Sequence, residues 1–342
     1  MNRFTRVMIV ALIYIGTVVG AGFASGQEIW YFFSRYQTKG TWGLLLSIII
    51  LGFLGAKAME WGRRIGAESY RDFLKEVVGV SYGYLCDLMM TGFIFLLTGV
   101  MLAGSGAVAT ELGWGREVGC GATVILTILV LSKRLAGLKG ANLVVVPLLF
   151  FTGLILNLYG KRMMAPMSGQ PIPSGFWLVA ALQYSAYNLV MALPILVNLY
   201  QIESDPEILK WGGRMGGLAL GSLALLFHML LSKYDFSSID LPLFYLTQNW
   251  KQWWRYLFSF VLWGELFTTL IADAYGLVSR FNLQKSKNYL GKLFLMLILA
   301  VLVSRIGFAH LIKRFYPLFG FLSFTILMPL WLRPLPPLKE KQ

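Results

Sequence analysis

Long apolar runs recur along this sequence, separated by short stretches in which charged residues, glycine and proline gather. Measured against the roughly 20 residues a helix needs to cross a bilayer, the runs predict helices near 5–33, 42–61, 84–111, 118–133, 140–159, 176–200, 213–232, 253–280, 289–304 and 315–332. The expected fold class is therefore all-α and integral to a membrane, with ten transmembrane helices. The fourth and ninth runs are the shortest, and the tenth ends among Pro329, Pro334, Pro336 and Pro337. Two connections are long. In 62–83, Ser69 to Val78 places its apolar residues on one side of a helix. In 233–252, Ser237 to Leu246 is apolar enough to dip back as a lid.

Helices one to five occupy 5–159 and helices six to ten 176–332, so the halves are nearly equal in length. An odd number of spans per half inverts one half relative to the other. The pattern thus predicts a 5+5 inverted repeat within a single transmembrane domain, 1–342. The third and eighth runs, equivalent in such a repeat, are both unusually long. Inside the first run lies Ile15 to Glu28, punctured by Gly16, Gly20, Gly22 and Gly26. Glycines clustered at mid-depth invite a break whose freed amides and carbonyls must face something polar. The sixth run carries Gln183 to Asn188 and then Pro194, a second expected interruption.

Composition agrees: 57% of residues are hydrophobic, 13% are charged, and mean hydropathy is +0.66. The net charge of +14 does not imply nucleic acid, because no soluble stretch exceeds about 25 residues. It is a topology signal. With the N-terminus inside, 19 of the 30 Lys and Arg fall on the cytoplasmic side, which places both termini in the cytoplasm. The first span carries Glu28 in place of a cleavage site and is expected to be retained. Cys86 and Cys120 lie near opposite membrane faces, too far apart for a disulfide. With His228 and His310 the only histidines, no zinc site is expected. No nucleophile, base and orienter constellation and no nucleotide-binding loop is present, which argues against an enzyme and an ATP-driven pump. The sequence leaves the oligomeric state open.

The segment Gly16-Thr17-Val18-Val19-Gly20-Ala21-Gly22 resembles the Gly-small-Gly unwinding motif of the amino acid, polyamine and organocation superfamily, which shares the leucine-transporter fold. The longer string Gly20 to Glu28 resembles the YkvI-like bacterial membrane proteins. The resemblance implies a secondary active transporter of a small amino acid or related amine-bearing solute, working by alternating access. It also implies that Gly20, Ala21, Gly22, Phe23 and Ser25 hold the solute, with the amides of residues 21 to 23 on its carboxylate. From span six, Ser185, Tyr187 and Asn188 would face it, with Tyr184 beside them. Thr268 and Thr269, with carbonyls of Gly16 and Val19, would form a sodium cage; no other cofactor is implied. Glu265 departs from sodium-coupled relatives: it could ligate sodium, carry a coupling proton or pair with a substrate amine.

Residues 265, 268, 269 and 273 follow one helix face, so Asp273 joins Glu265 and Glu28 as a carboxylate at membrane depth. Glu28 could instead cap free amides of the outer half-helix, and Asp273 could bond Arg280 or a loop lysine. His228 is expected to be an interhelical hydrogen-bond partner. The alternative to a transporter is an amino-acid-binding receptor subunit resembling germinant receptors, which net uptake would separate.

Overall fold

The computed structural model describes residues 2–67, 69–132, 147–148, 151–156, 175–281 and 287–338. Helix α1 (Arg3–Val18) starts where the Asn2 side chain accepts the Thr5 N–H at 2.8 Å. It stops at Val19, which is extended, and gives way to two short helices, α2 (Ala21–Ala24) and α3 (Gln27–Phe32). The first expected span is thus broken twice, and the joint between α2 and α3 is Gly26 at φ 81°, a conformation that an L side chain rarely adopts.

The chain continues through α4 (Thr38–Ile65), α5 (Tyr70–Val78), α6 (Val80–Glu111) and α7 (Arg116–Ser132), then α8 (Trp177–Leu196), α9 (Pro206–Leu231) and α10 (Pro242–Tyr245). Helices α11 (Gln252–Arg280), α12 (Tyr289–Ser304) and α13 (Phe308–Leu332) complete it. Among the described residues there is no strand. Six helices are long and apolar enough to cross a membrane: α4, α6, α8 with its continuation to Gln201, α9, α11 and α13; α12 is a shorter apolar helix. The expected fifth span, 140–159, lies mostly outside the described residues, of which 151–156 are helical.

Helices α9 and α13 begin seven residues before their apolar runs, at Pro206 and Phe308, because an apolar run measures bilayer crossing while a helix can continue into water. Asp205 caps α9 by accepting the Glu207 N–H at 2.9 Å, with Pro206 at the first turn. Helix α13 also runs through Pro317 and Pro329.

One expectation is corrected. Helix six was expected to be interrupted at residues 183–188, yet α8 is continuous from Trp177 to Leu196. This stretch has no glycine. Its Ser185 and Asn188 side chains bond back to the carbonyls of Ala181 and Tyr184, at 2.9 and 3.0 Å, so they add to the helix ladder instead of opening it. Pro194 lies inside α8, two residues from its end, and does not interrupt it.

The helices pack in two groups. In the first, α9 packs against α1 and α4, and α8 against α4 and α1. Glycines on α9 make this seam: a Cβ at Gly213 would lie 2.6 Å from Ala56 Cα, one at Gly216 2.7 Å from the Tyr14 ring, and one at Gly217 would collide with Gly52. Small residues let the backbones themselves touch, the usual means of helix association in lipid. Arg6 closes the N-terminal end of α1 onto Glu203 with two hydrogen bonds of 2.7 and 2.6 Å, and this bonding holds the Glu203 carboxyl below its ordinary pKa.

In the second group α6 packs against α11, α7 and α12. Its N-terminal end is braced by Asp87, which receives a two-pronged Arg280 guanidinium from α11, the Tyr70 hydroxyl from α5, and Arg71 at 3.2 Å. Helix α13 spans the groups, packing against α8, α6 and α5. The amphipathic helix expected at Ser69 to Val78 is α5, opened by a capping box of Ser69 and Asp72, with Phe73, Leu74 and Val77 buried.

Candidate functional site at the broken first helix

The break gathers the polar backbone that the glycines predicted. Val19 N–H closes α1 on Ile15 O at 2.8 Å, and Ala24 N–H reaches Gly20 O at 2.9 Å. The N–H groups of Ala21, Gly22 and Phe23 form the first turn of α2, so no carbonyl within that helix receives them. Gly22 is buried because the Glu28 side chain lies on it: a Cβ added there would land on the Glu28 carboxylate. Glu28 is in the first turn of α3, only 4% exposed, and its Oε2 accepts a hydrogen bond from the Tyr187 hydroxyl of α8. One carboxylate therefore joins the break to the facing helix.

Aromatic rings surround this contact. The Tyr187 ring lies 5.6 Å from those of Phe32 and Tyr184 and 5.2 Å from that of Tyr316 on α13. Phe33 packs edge-on against Tyr184 at 4.8 Å, and Phe93 of α6 stacks on Phe319 at 3.7 Å while meeting Tyr316 at 5.6 Å. Gln27 is fully buried, and neither its Oε1 nor its Nε2 has a hydrogen-bond partner.

Other expected solute contacts are turned elsewhere. Phe23 is fully buried against Phe227, 5.8 Å between centroids. The Ser25 hydroxyl donates to Gly22 O at 3.0 Å and accepts from Gln27 N–H at 3.3 Å, bridging the joint between α2 and α3. The hydroxyl of Ser185 and the amide of Asn188 are those already bonded within α8. The Ser25 carbonyl receives the Leu243 N–H of α10 at 2.9 Å, so the lid expected in 233–252 is folded onto the break. Asp240 accepts the Ala309 N–H at 2.9 Å, and Lys313 reaches the Ser237 carbonyl.

Helix α11 packs against α2 and carries the second polar cluster. Glu265 is 1% exposed and neither carboxylate oxygen has a partner. Thr268 bonds back to the Glu265 carbonyl at 3.2 Å; Thr268, Thr269 and Asp273 are half-buried on the same face. Gly16 is buried in the last turn of α1, and Val19 ends that helix. The pairing expected between Asp273 and Arg280 is not made. Asp273 Oδ2 is buried without a partner, and Arg280, about two turns further on, forks onto Asp87 instead. Among the described residues no group of three or more His, Cys, Asp or Glu could hold a metal ion. His228 is an interhelical partner, contacted by Ser34 at Nδ1 and Thr41 at Nε2, 3.1 and 2.9 Å.

The residues that sequence reading missed are Gln27, Phe32, Phe93, Tyr316, Phe319 and Asp87. Gln27 and Phe32 flank a glutamate already singled out, and were readable as part of the same short helix. The others carry no local signal, since they enter through helices far away in sequence.

No protein-family model matches the chain. The membrane protein YkvI of Bacillus subtilis (strain 168) is 33% identical over 326 residues, 93% of this chain and 93% of YkvI. YyaD of the same organism is 24% identical over 339 residues, 95% of this chain and 96% of YyaD. Among solved structures, Mhp1 in its inward-facing conformation matches with a TM-score of 0.59 at 13% identity, covering 95% of this chain and 76% of Mhp1. A mutant of the Eremococcus coleocola manganese transporter matches at 0.50 with 14% identity, covering 95% of this chain and 84% of that one. The all-helical architecture is thus that of Mhp1. From the extent and level of its identity to YkvI, the chain belongs to the YkvI family of membrane proteins.

Proposed function

We propose that this chain is an ion-coupled secondary transporter of a small amine-bearing solute, working by alternating access in the inner membrane with both termini cytoplasmic. The observation that carries this reading is the doubly broken first helix, with Glu28 held at the break by Tyr187, between two groups of helices. A span breaks inside a bilayer where protein or a polar cavity takes up the freed backbone groups, and in transporters such breaks hold the solute. Contacts between helices also favour ten spans in a 5+5 inverted repeat. Helices α1 and α8, α4 and α9, α6 and α11, and α7 and α12 each pack together, and each pair joins spans five apart in that repeat. The group of α1, α4, α8 and α9 would then rock against α6, α7, α11 and α12, with α10 closing from outside.

The two unpartnered oxygens of Glu265 fit a cation. A proton on that carboxylate would remove its buried charge, and sodium would coordinate it, with the Thr268 and Thr269 hydroxyls and carbonyls of Gly16 and Val19 as further oxygen ligands. The test is uptake by the purified chain in proteoliposomes, with and without sodium at two pH values. Glu265→Gln is expected to abolish the ion or pH dependence while preserving solute binding. Unchanged dependence in that variant would remove Glu265 from the coupling step, and no uptake under any gradient would remove the transporter reading.

A further inference from the structure

Glu28 decides what kind of solute the break can accept. A solute carboxylate docked on the amides of Ala21, Gly22 and Phe23 would arrive beside a carboxylate that the protein already supplies, because the Glu28 side chain lies directly on Gly22. Like charges about 5 Å apart in a partly desolvated site repel enough to weaken binding by about a hundredfold. Among the described residues no Lys, Arg or His forms an ion pair with Glu28. Its hydrogen-bond donor is the neutral Tyr187 hydroxyl. A buried carboxylate answered by neutral donors is the partner a cation lacks in hydrocarbon.

The walls fit the same ligand. Phe32, Tyr184 and Tyr316 lie within 5.6 Å of the Tyr187 ring, centroid to centroid. Aromatic faces carry negative charge density that attracts ammonium groups and holds no attraction for carboxylates. Tyr187 serves both functions, with its hydroxyl on Glu28 and its ring among the others.

We propose that the solute bound at the break is an organic cation without a carboxylate, a primary amine or quaternary ammonium, whose charge meets Glu28 and whose carbon groups pack on Phe32, Tyr184, Tyr187 and Tyr316. For passage of that solute across the membrane, the inference rests on the transporter reading above. The binding chemistry rests on the break itself.

Matched pairs differing by one carboxylate test it: tyramine with tyrosine, isobutylamine with valine, and choline with glycine betaine. Thermal unfolding of the detergent-purified full chain is measured against each, followed by uptake of the same compounds in proteoliposomes. At least one cation is expected to raise the unfolding temperature at a concentration ten or more times lower than its carboxylate-bearing partner. Glu28→Gln should abolish that shift, and Tyr187→Phe, which keeps the ring, should weaken it several-fold. A partner that matches or exceeds its amine, the absence of a shift with any amine, or a full shift in Glu28→Gln overturns the inference. If Glu28→Gln does not fold, the wild-type ranking together with Tyr187→Phe decides. Amine binding without uptake sinks the transporter reading and leaves this inference standing, whereas preferred uptake of amino acids does the reverse.

Discussion

Gln27 and Glu28 are neighbours with different fates. Glu28 has a partner across the break, while both ends of the Gln27 amide are buried with none. An unsatisfied buried amide costs about 1–3 kcal/mol, so an apolar side chain of similar length should not harm folding. Gln27→Met is expected to leave the unfolding temperature unchanged or higher and, if the amide serves the solute, to lower uptake at least tenfold; full uptake would show the amide is idle. The sequence revealed the backbone of this site better than its side chains. Gly20, Gly22 and Gly26 announced the break; of the three, Gly26 has a backbone that favours glycine, Gly22 makes room for the Glu28 side chain, and Gly20 has open space beside it. The direction of the Glu28 carboxylate depends on Tyr187, 159 residues away, and no local pattern encodes it. The hydroxyls of Ser25 and Ser185 looked equally available in sequence, but both are bonded within a few residues of their own position.

The first and sixth spans show what a helix needs in order to break. Both carry small and polar residues at mid-depth, yet only the first has glycines there, and only the first is interrupted. Polar side chains that can bond one turn back leave a membrane helix intact, so QYSAYN was a weaker signal than its composition suggested. That 233–252 folds back onto the helices was legible from its apolar character, although its attachment was not. Helix α10 is only four residues long, and it meets the break through the Leu243 N–H on the Ser25 carbonyl and through the Leu243 side chain against Gly26. Leu243→Ala keeps that backbone hydrogen bond and removes the buried side chain that lies against Gly26. The variant is expected to fold and to exchange bound solute several-fold faster, as measured by release of preloaded solute. An unchanged release rate would mean that the backbone hydrogen bond alone holds the segment on the break.

Across the whole molecule, one polar cluster ties α5 to the N-terminal end of α6 and the C-terminal end of α11. Asp87 is 9% exposed and Arg280 15% by side chain, so removing one partner leaves the other charge uncompensated. Asp87→Asn is expected to cost about 3 kcal/mol, and pairing it with Arg280→Met should recover much of that loss. The check is the unfolding temperature of the single and double variants in one detergent; a double variant no better than the single would assign Asp87 chiefly to Tyr70 and Arg71.

The glycine seam between α4 and α9 has a different consequence. Where Gly217 meets Gly52 with no side chain between them, there is no rotamer to flip and no volume to redistribute, so this pair of helices is expected to move as one piece. Spectroscopic labels placed on α4 and α9 therefore supply a built-in ruler. Their separation should stay constant through the cycle, and any change measured from either helix to α6 or α11 can be read directly as displacement between the two groups.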